Sequence, residues 1–314
     1  MTSASPVFSD LDERAFRESA FAWLRARILT KPALSREDLS HFIFQGREFR
    51  LLGPQTGIWK PKEMSSAVAF STGFYSDESK RPYQDSEGSD GMLRYKWRGT
   101  DANHADNIAL RTAMQRGEDL IWFLGAGYEG KKTQVYLPIF PVRLVAEEPD
   151  RQQFVVSLGA EQSYAGADAS AQVIEITKRY NERLVKTRLH QSVFRTQVTL
   201  AYEYRCAVCR LPVLELLDAA HIKSDADGGA AIVTNGLALC KIHHGAFDAN
   251  LMGISPDYKI SIRQSVLETF DGPTLQHSLK EMDGEKLRQL PPRKEQLPDS
   301  DLLAERFEEF NKAS

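Results

Sequence analysis

Residues 204–250 read YRCAVCRLPVLELLDAAHIKSDADGGAAIVTNGLALCKIHHGAFDAN, and the fold turns on this stretch. It holds all three cysteines of the chain, as Cys206-x-x-Cys209 and then Cys240-x-x-His243. Two such pairs, about thirty residues apart, suit tetrahedral Zn²⁺, which takes thiolate and imidazole ligands from two knuckles held together by a small fold. With all four positions filled by protein, such an ion is structural rather than catalytic. The competing reading is three buried, inert cysteines. An odd cysteine count in a chain of 314 residues argues against a disulfide framework and for a reducing, cytoplasmic setting.

A second constellation is interleaved with the first: His221 in AHI, Asn235 in NGLALC, His244 directly after His243, and Asp248 four residues later. Hydrolysing a phosphodiester needs a base to activate water and a cation to neutralise charge on the scissile phosphate and leaving oxygen. His221 ends an apolar strand and is suited to be that base. Asn235 sits in the following loop, where its amide can orient the histidine ring. The spacing of His244 and Asp248 puts both on one face of a predicted helix, an open imidazole–carboxylate site for Mg²⁺ or Mn²⁺. His221, Asn235 and His244, in this order and beside a zinc pair, resemble the HNH nuclease family over residues 204–254. The resemblance implies a zinc-stabilised ββα-metal fold with those three as catalytic residues. Many members carry a metal-binding Asp or His immediately before the base. That position is Ala220 here, and Asp218, two residues earlier on the same strand face, is the substitute ligand.

Upstream, residues 10–30 repeat apolar side chains at helical spacing, and Ser35, with Glu37 and Asp38, predicts the start of a second short helix. From 41 to 158 the texture changes to short apolar runs such as HFIFQG, MLRYKWRG, DLIWFLGAG and QVYLPIFPVRLV, broken by Gly and Pro. This predicts a mainly antiparallel β domain with one helix near 105–116, and α+β for the whole chain. Small and polar residues at 159–171 read as a linker into a long helix over 172–200; PPRKEQLP at 291–298 is a second linker before an amphipathic helix at 299–312.

Within the β domain, residues 82–112 (PYQDSEGSDGMLRYKWRGTDANHADNIALRT) are the most motif-like. Tyr83 and Tyr95 stand twelve apart, Asp85 follows the first, and Asn107-Ile108-Ala109-Leu110 opens a helix. This resembles the SRA (YDG) family of modified-base readers, with a PUA-like fold. The resemblance implies that Tyr83 and Tyr95 stack on a flipped cytosine while Asp85 accepts from its exocyclic amine. The acid falls two residues after Tyr83 where the family has it at the third, and the family's Gly-rich stretch is reduced to Arg98-Gly99-Thr100. Aromatics in strands are otherwise core residues. Lys96 and Arg98 either flank the pocket and touch phosphate or pack on the strand surface.

The domain plan is therefore 1–40, a helical segment; 41–158, the SRA-like recognition domain; 159–203, linker and basic helix; 204–290, the HNH nuclease; and 291–314, linker and helix. A net charge of −3 carries no nucleic-acid signature by itself. Its distribution does: residues 178–210 hold eight Lys/Arg against two acids, and Arg179, Arg183 and Lys186 are placed to track a DNA backbone or simply to solvate a helix face. No apolar run nears the ~20 residues that span a bilayer, and the first residues lack the basic start and apolar core of a secretory signal.

Together the two resemblances imply a McrA-type modification-dependent restriction endonuclease acting in phage defence on double-stranded DNA with 5-methyl- or 5-hydroxymethylcytosine. One HNH unit cuts one strand, so the expectation is a homodimer, through the helix at 10–30 or that at 299–312. Three alternatives stay open: an HNH nuclease triggered by phosphorothioate DNA, one triggered by a nucleotide messenger, and an inactive zinc-stabilised DNA-binding module.

Overall fold

The computed structural model describes residues 8–74, 92–130, 132–158, 190–270 and 272–312. The chain forms two compact units, Met1–Leu189 and His190–Ser314, and is mixed α+β.

In the first unit, helix α1 (Asp10–Ile28) begins with a capping box. The Ser9 hydroxyl accepts from the Asp12 N–H while the Asp12 carboxylate accepts from the Ser9 N–H, satisfying donors that have no partner inside the helix. Two short strands and a hairpin follow: β1 (Leu34–Ser35), then β2 (Phe42–Phe44) and β3 (Arg47–Phe49). Gln45 and Gly46 both have positive φ in the hairpin's two-residue turn, the backbone that matches strand twist. The main sheet adds β4 (Ile58–Trp59), β5 (Ala69–Thr72), β6 (Leu93–Lys96), β7 (Leu120–Glu129), β8 (Thr133–Glu148) and β9 (Gln153–Ser157). Its order is β4-β5-β7-β8-β9-β6, with β1 also paired to β8. These pairings are antiparallel except β5–β7, which is parallel and has helix α2 (Ala105–Gln115) in its connection.

Covering both faces explains why DLIWFLGAG reads as a continuous apolar run rather than an alternation. Ile121 and Phe123 point into a core with Phe16, Leu24 and Phe42, whereas Leu120 and Trp122 point into another with Leu110, Val142 and Phe154. Helix α1 is thus part of this unit's core and not a separate segment over 1–40. No helix starts at Ser35. Its backbone N–H and its hydroxyl both donate to the Asp38 carboxylate at 2.8 Å, leaving a two-residue strand and a single 3₁₀ turn, Asp38–Ser40. The buried Arg17 guanidinium ties α1 to the sheet. It donates to the Ala67 carbonyl and the Ser66 hydroxyl, both at 2.8 Å, and to Glu118 at 2.7 Å.

In the second unit, helix α3 spans 190–201 of the described residues and lays Phe194, Val198 and Ala201 into the core. The unit begins at His190 rather than at the expected 204, because α3 packs into this core. Strands β10 (Leu217–His221) and β11 (Gly236–Cys240) pair antiparallel, and helix α4 (Lys241–Asp248) follows directly. A second hairpin, β12 (Met252–Ile254) and β13 (Ile260–Ile262), leads to helices α5 (Gln264–Glu268), α6 (Pro273–Ser278) and α7 (Ser300–Lys312). Leu303 of α7 is fully buried in the same core, so the C-terminal helix is integral to this unit. Among the described residues no helix is long and apolar enough to cross a membrane.

Candidate active site

The candidate metal ligands of both sequence patterns lie in and around the β10–β11–α4 unit. The knuckle Cys206–Cys209 closes with the Arg210 N–H donating to the Cys206 carbonyl at 2.9 Å and with Arg210 in the left-handed region at φ 62°. Cys240 is the N-cap residue of α4, and His243 lies one turn into that helix. One ligand atom from each of Cys206, Cys209, Cys240 and His243 lies within 4.8 Å of the others.

His243 Nδ1 is 3.0 Å from the Cys240 sulfur and 3.4 Å from that of Cys206, while its Nε2 is 2.7 Å from the Ser278 carbonyl. A carbonyl only accepts, so Nε2 carries the proton and Nδ1 is left facing the sulfurs. Burial opposes a charge on His243, yet the sulfurs of Cys209 and Cys240 push its pKa up to about 10. Hydrogen bonds from Cys206 and Cys209 drive the Cys240 thiol far down. The donor set, its spacing and the pre-set imidazole tautomer fit a Zn²⁺ ion held by these four residues.

His244 is the next residue, about 100° further round the helix, and lines a pocket of about 1070 Å³ with His221, Asp218, Asp248, Phe194 and Arg195. Its Nδ1 lies 3.6 Å from Asp218 and its Nε2 3.2 Å from Asp248, so two carboxylates bracket the ring. Partial burial raises the Asp218 acid. The Lys241 ammonium bonded to it, with Arg195 at 3.3 Å and His244, outweighs that and holds it below the usual carboxylate value. An imidazole between two carboxylates fits a hard divalent cation such as Mg²⁺ or Mn²⁺.

His221 ends β10 opposite Gly236. Burial lowers its pKa, against the opposing charge of Asp225, which favours the neutral form that a base requires. Its Nε2 is buried without a hydrogen-bond partner among the described residues, and its ring stacks on Phe194 with centroids 4.0 Å apart and planes 17° from parallel. Asn235 does not orient this ring. Its oxygen accepts from the Lys223 N–H at 2.9 Å, and its nitrogen donates to the carbonyls of Lys223 and Ala230 at 3.0 and 2.9 Å. The amide is spent on the backbone and pins the β10–β11 loop.

In the first unit, Tyr95 is 7% exposed, with its ring against Phe70 at 4.6 Å and its hydroxyl donating to the Ser71 carbonyl at 3.3 Å. It is a core residue, whose faces are covered by protein rather than offered to a base. Lys96 donates to the Arg151 carbonyl, and Arg98 pairs with Asp106. Asn107 is fully buried and clamps the backbone of Arg98 and Asp101. Tyr83, Asp85, Arg179, Arg183 and Lys186 lie outside the described residues.

Sequence reasoning counted Arg195 only within the basic run over 178–210 and did not single out Phe194 or Lys241. The four-residue step from Phe194 to Val198 was the available signal that this helix has a buried face.

Residues 206–255 match the family model described as HNH endonuclease. No curated protein matches the chain. Among solved structures, the modification dependent TagI restriction endonuclease is similar at 19% identity, over 81% of this chain and 85% of that one, with a TM-score of 0.29. The Type IV phosphorothioation-dependent restriction endonuclease ScoMcrA is similar at 12% identity, over 61% and 50%, with a TM-score of 0.19. With its ββα unit, its knuckle and its paired histidines, the segment 206–255 is an HNH endonuclease domain.

Proposed function

We propose that this protein is a modification-dependent DNA endonuclease that binds 5-methyl- or 5-hydroxymethylcytosine through its N-terminal unit and cuts phosphodiesters with its HNH domain. The observation that carries the nuclease half is the convergence of His221, His244, Asp218 and Asp248 on one pocket. Neutral His221 takes the proton of the attacking water on an imidazole nitrogen. Asn235 keeps the loop beside it closed. Arg195 and Lys241 bring positive charge toward the DNA phosphates. His244, with Asp248 and Asp218, would hold Mg²⁺ or Mn²⁺, which when bound supplies charge beside the scissile phosphate and the leaving 3′ oxygen. Cys206, Cys209, Cys240 and His243 would hold Zn²⁺ and fix α4 against the strands.

The reader half rests on the resemblance over 82–112. Tyr83 and Asp85 carry base recognition in this reading, and Tyr95 supports them from the core. Double-strand cleavage then uses two copies of the chain.

The test is digestion of matched DNAs containing cytosine, 5-methylcytosine, 5-hydroxymethylcytosine or phosphorothioate, with Mg²⁺ or Mn²⁺. Cleavage confined to the two modified cytosines is the expected result, lost in His221→Ala. Cleavage of phosphorothioate DNA alone replaces the proposed trigger; cleavage of none of the four, with binding intact, favours a DNA-binding module.

A further inference from the structure

We infer that Phe194 is a positioning residue for the nuclease: it sets the orientation of the His221 imidazole from outside the segment that matches the HNH family. The inference rests on the reading of His221 as the base. An imidazole that must accept a proton from a particular water needs its ring plane fixed, and a side chain has only two means of fixing it, hydrogen bonding or packing.

Hydrogen bonding does not do it here. Among the described residues His221 Nε2 is buried with no partner, and the amide of Asn235 is engaged by the Lys223 and Ala230 backbone. Packing does. The Phe194 ring, 3% exposed, lies nearly parallel to the imidazole at 4.0 Å. The strand opposite makes room for it. Gly236 is the cross-strand partner of His221, and a Cβ there would lie 2.4 Å from Val198 Cγ2 and 3.1 Å from Phe194 Cζ. Val198 and the edge of the Phe194 ring together take the space a side chain at 236 would need, and the Phe194 face lies against the His221 ring. One face of the imidazole is closed by Phe194, and the ring is left to meet the pocket by its edge.

The test compares Phe194→Leu, Gly236→Ala and the double variant with wild type and His221→Ala. All are made as full-length protein with ¹³C-labelled histidine. Two quantities are read: Mn²⁺-dependent cleavage of cytosine-methylated supercoiled plasmid, and the His221 ring-proton resonance, assigned by its absence in His221→Ala. In wild type that resonance sits upfield, in the ring current of Phe194. Phe194→Leu is expected to move it downfield and to lower kcat by about 100-fold with KM unchanged, as for a misplaced catalytic group. Gly236→Ala is expected to do the same by displacing the ring, and the double variant to be no worse than either single one. An unmoved resonance, or wild-type kcat in a variant whose resonance has moved, overturns the inference. Cleavage that survives His221→Ala instead removes the base reading, and the resonance in Gly236→Ala, which keeps the Phe194 ring current, then decides whether this packing orients the ring.

Discussion

Asn107 and Asn235 perform one task in two unrelated settings: a buried amide with one acceptor and two donor hydrogens replaces the backbone partners that a loop lacks. Asn235 holds Lys223 and Ala230; Asn107 holds Arg98 and Asp101. Asn235→Ala would leave one N–H and two carbonyls without partners beside the pocket. We expect it to cost about 2–4 kcal/mol, seen as a lower denaturation midpoint and as faster amide exchange at Lys223. An orienting role on His221 would instead lower activity at unchanged stability. That His221, His244 and Asp248 meet in one pocket was legible from their spacing. The job of Asn235 was not, because its partners are backbone groups that every residue carries. Tyr95 was misread for a related reason: a tyrosine in a strand looks alike whether its neighbours are core or ligand, and Phe70 decides the matter.

Among elements, the strand runs and the helices at both ends were legible from periodicity, down to the amphipathic α7. The crossover that makes β5 and β7 parallel was not, since apolar runs do not encode which neighbour they pair with. Helix α1 is bonded to the sheet through Arg17, whose side chain is 6% exposed and faces Glu13 and Glu118. Burial lowers the Arg17 pKa, partly offset by the charges of those two acids. Arg17→Ala would take this donor from the Ala67 carbonyl and leave Glu13 and Glu118 with Arg116 and the Ser65 and Ser66 donors as partners, and a loss of about 2–3 kcal/mol is expected, measurable by urea denaturation. A loss below ~1 kcal/mol would mean that the network is relaxed by water.

Helix α4 carries a pH prediction. His243 is pushed up to about 10, above the ordinary value of about 6.5, so a proton occupies it at neutral pH unless a metal displaces it. Zn²⁺ binding must then release protons at pH 7, and affinity must climb as pH rises toward 10. Calorimetric titration of the chelator-treated protein in buffers of differing ionisation enthalpy counts those protons; a count of zero would contradict the assigned tautomer and ligand set.

For the whole molecule, the two helices offered by sequence as dimer contacts are engaged elsewhere. The apolar face of α1 is buried with Phe42 and Tyr136, and that of α7 with Met252 and Ile254. The proposal of paired nucleases is best tested on DNA. Sedimentation of the His221→Ala variant with a duplex carrying one modified site is expected to show two chains per duplex; one chain per duplex at saturating protein rejects the pairing. The side-by-side histidines of α4 carry a consequence for how this chain can change over time. Because one imidazole serves the thiolates and its immediate neighbour serves the pocket, the helix is a ruler with no spare notch. Inserting one residue between 240 and 243 would turn the His243 ring toward the pocket and leave the sulfurs without an imidazole, and deleting one would turn the His244 ring toward the sulfurs and leave the pocket without it. Descendants of this sequence should therefore keep the spacing from Cys240 to His244 fixed.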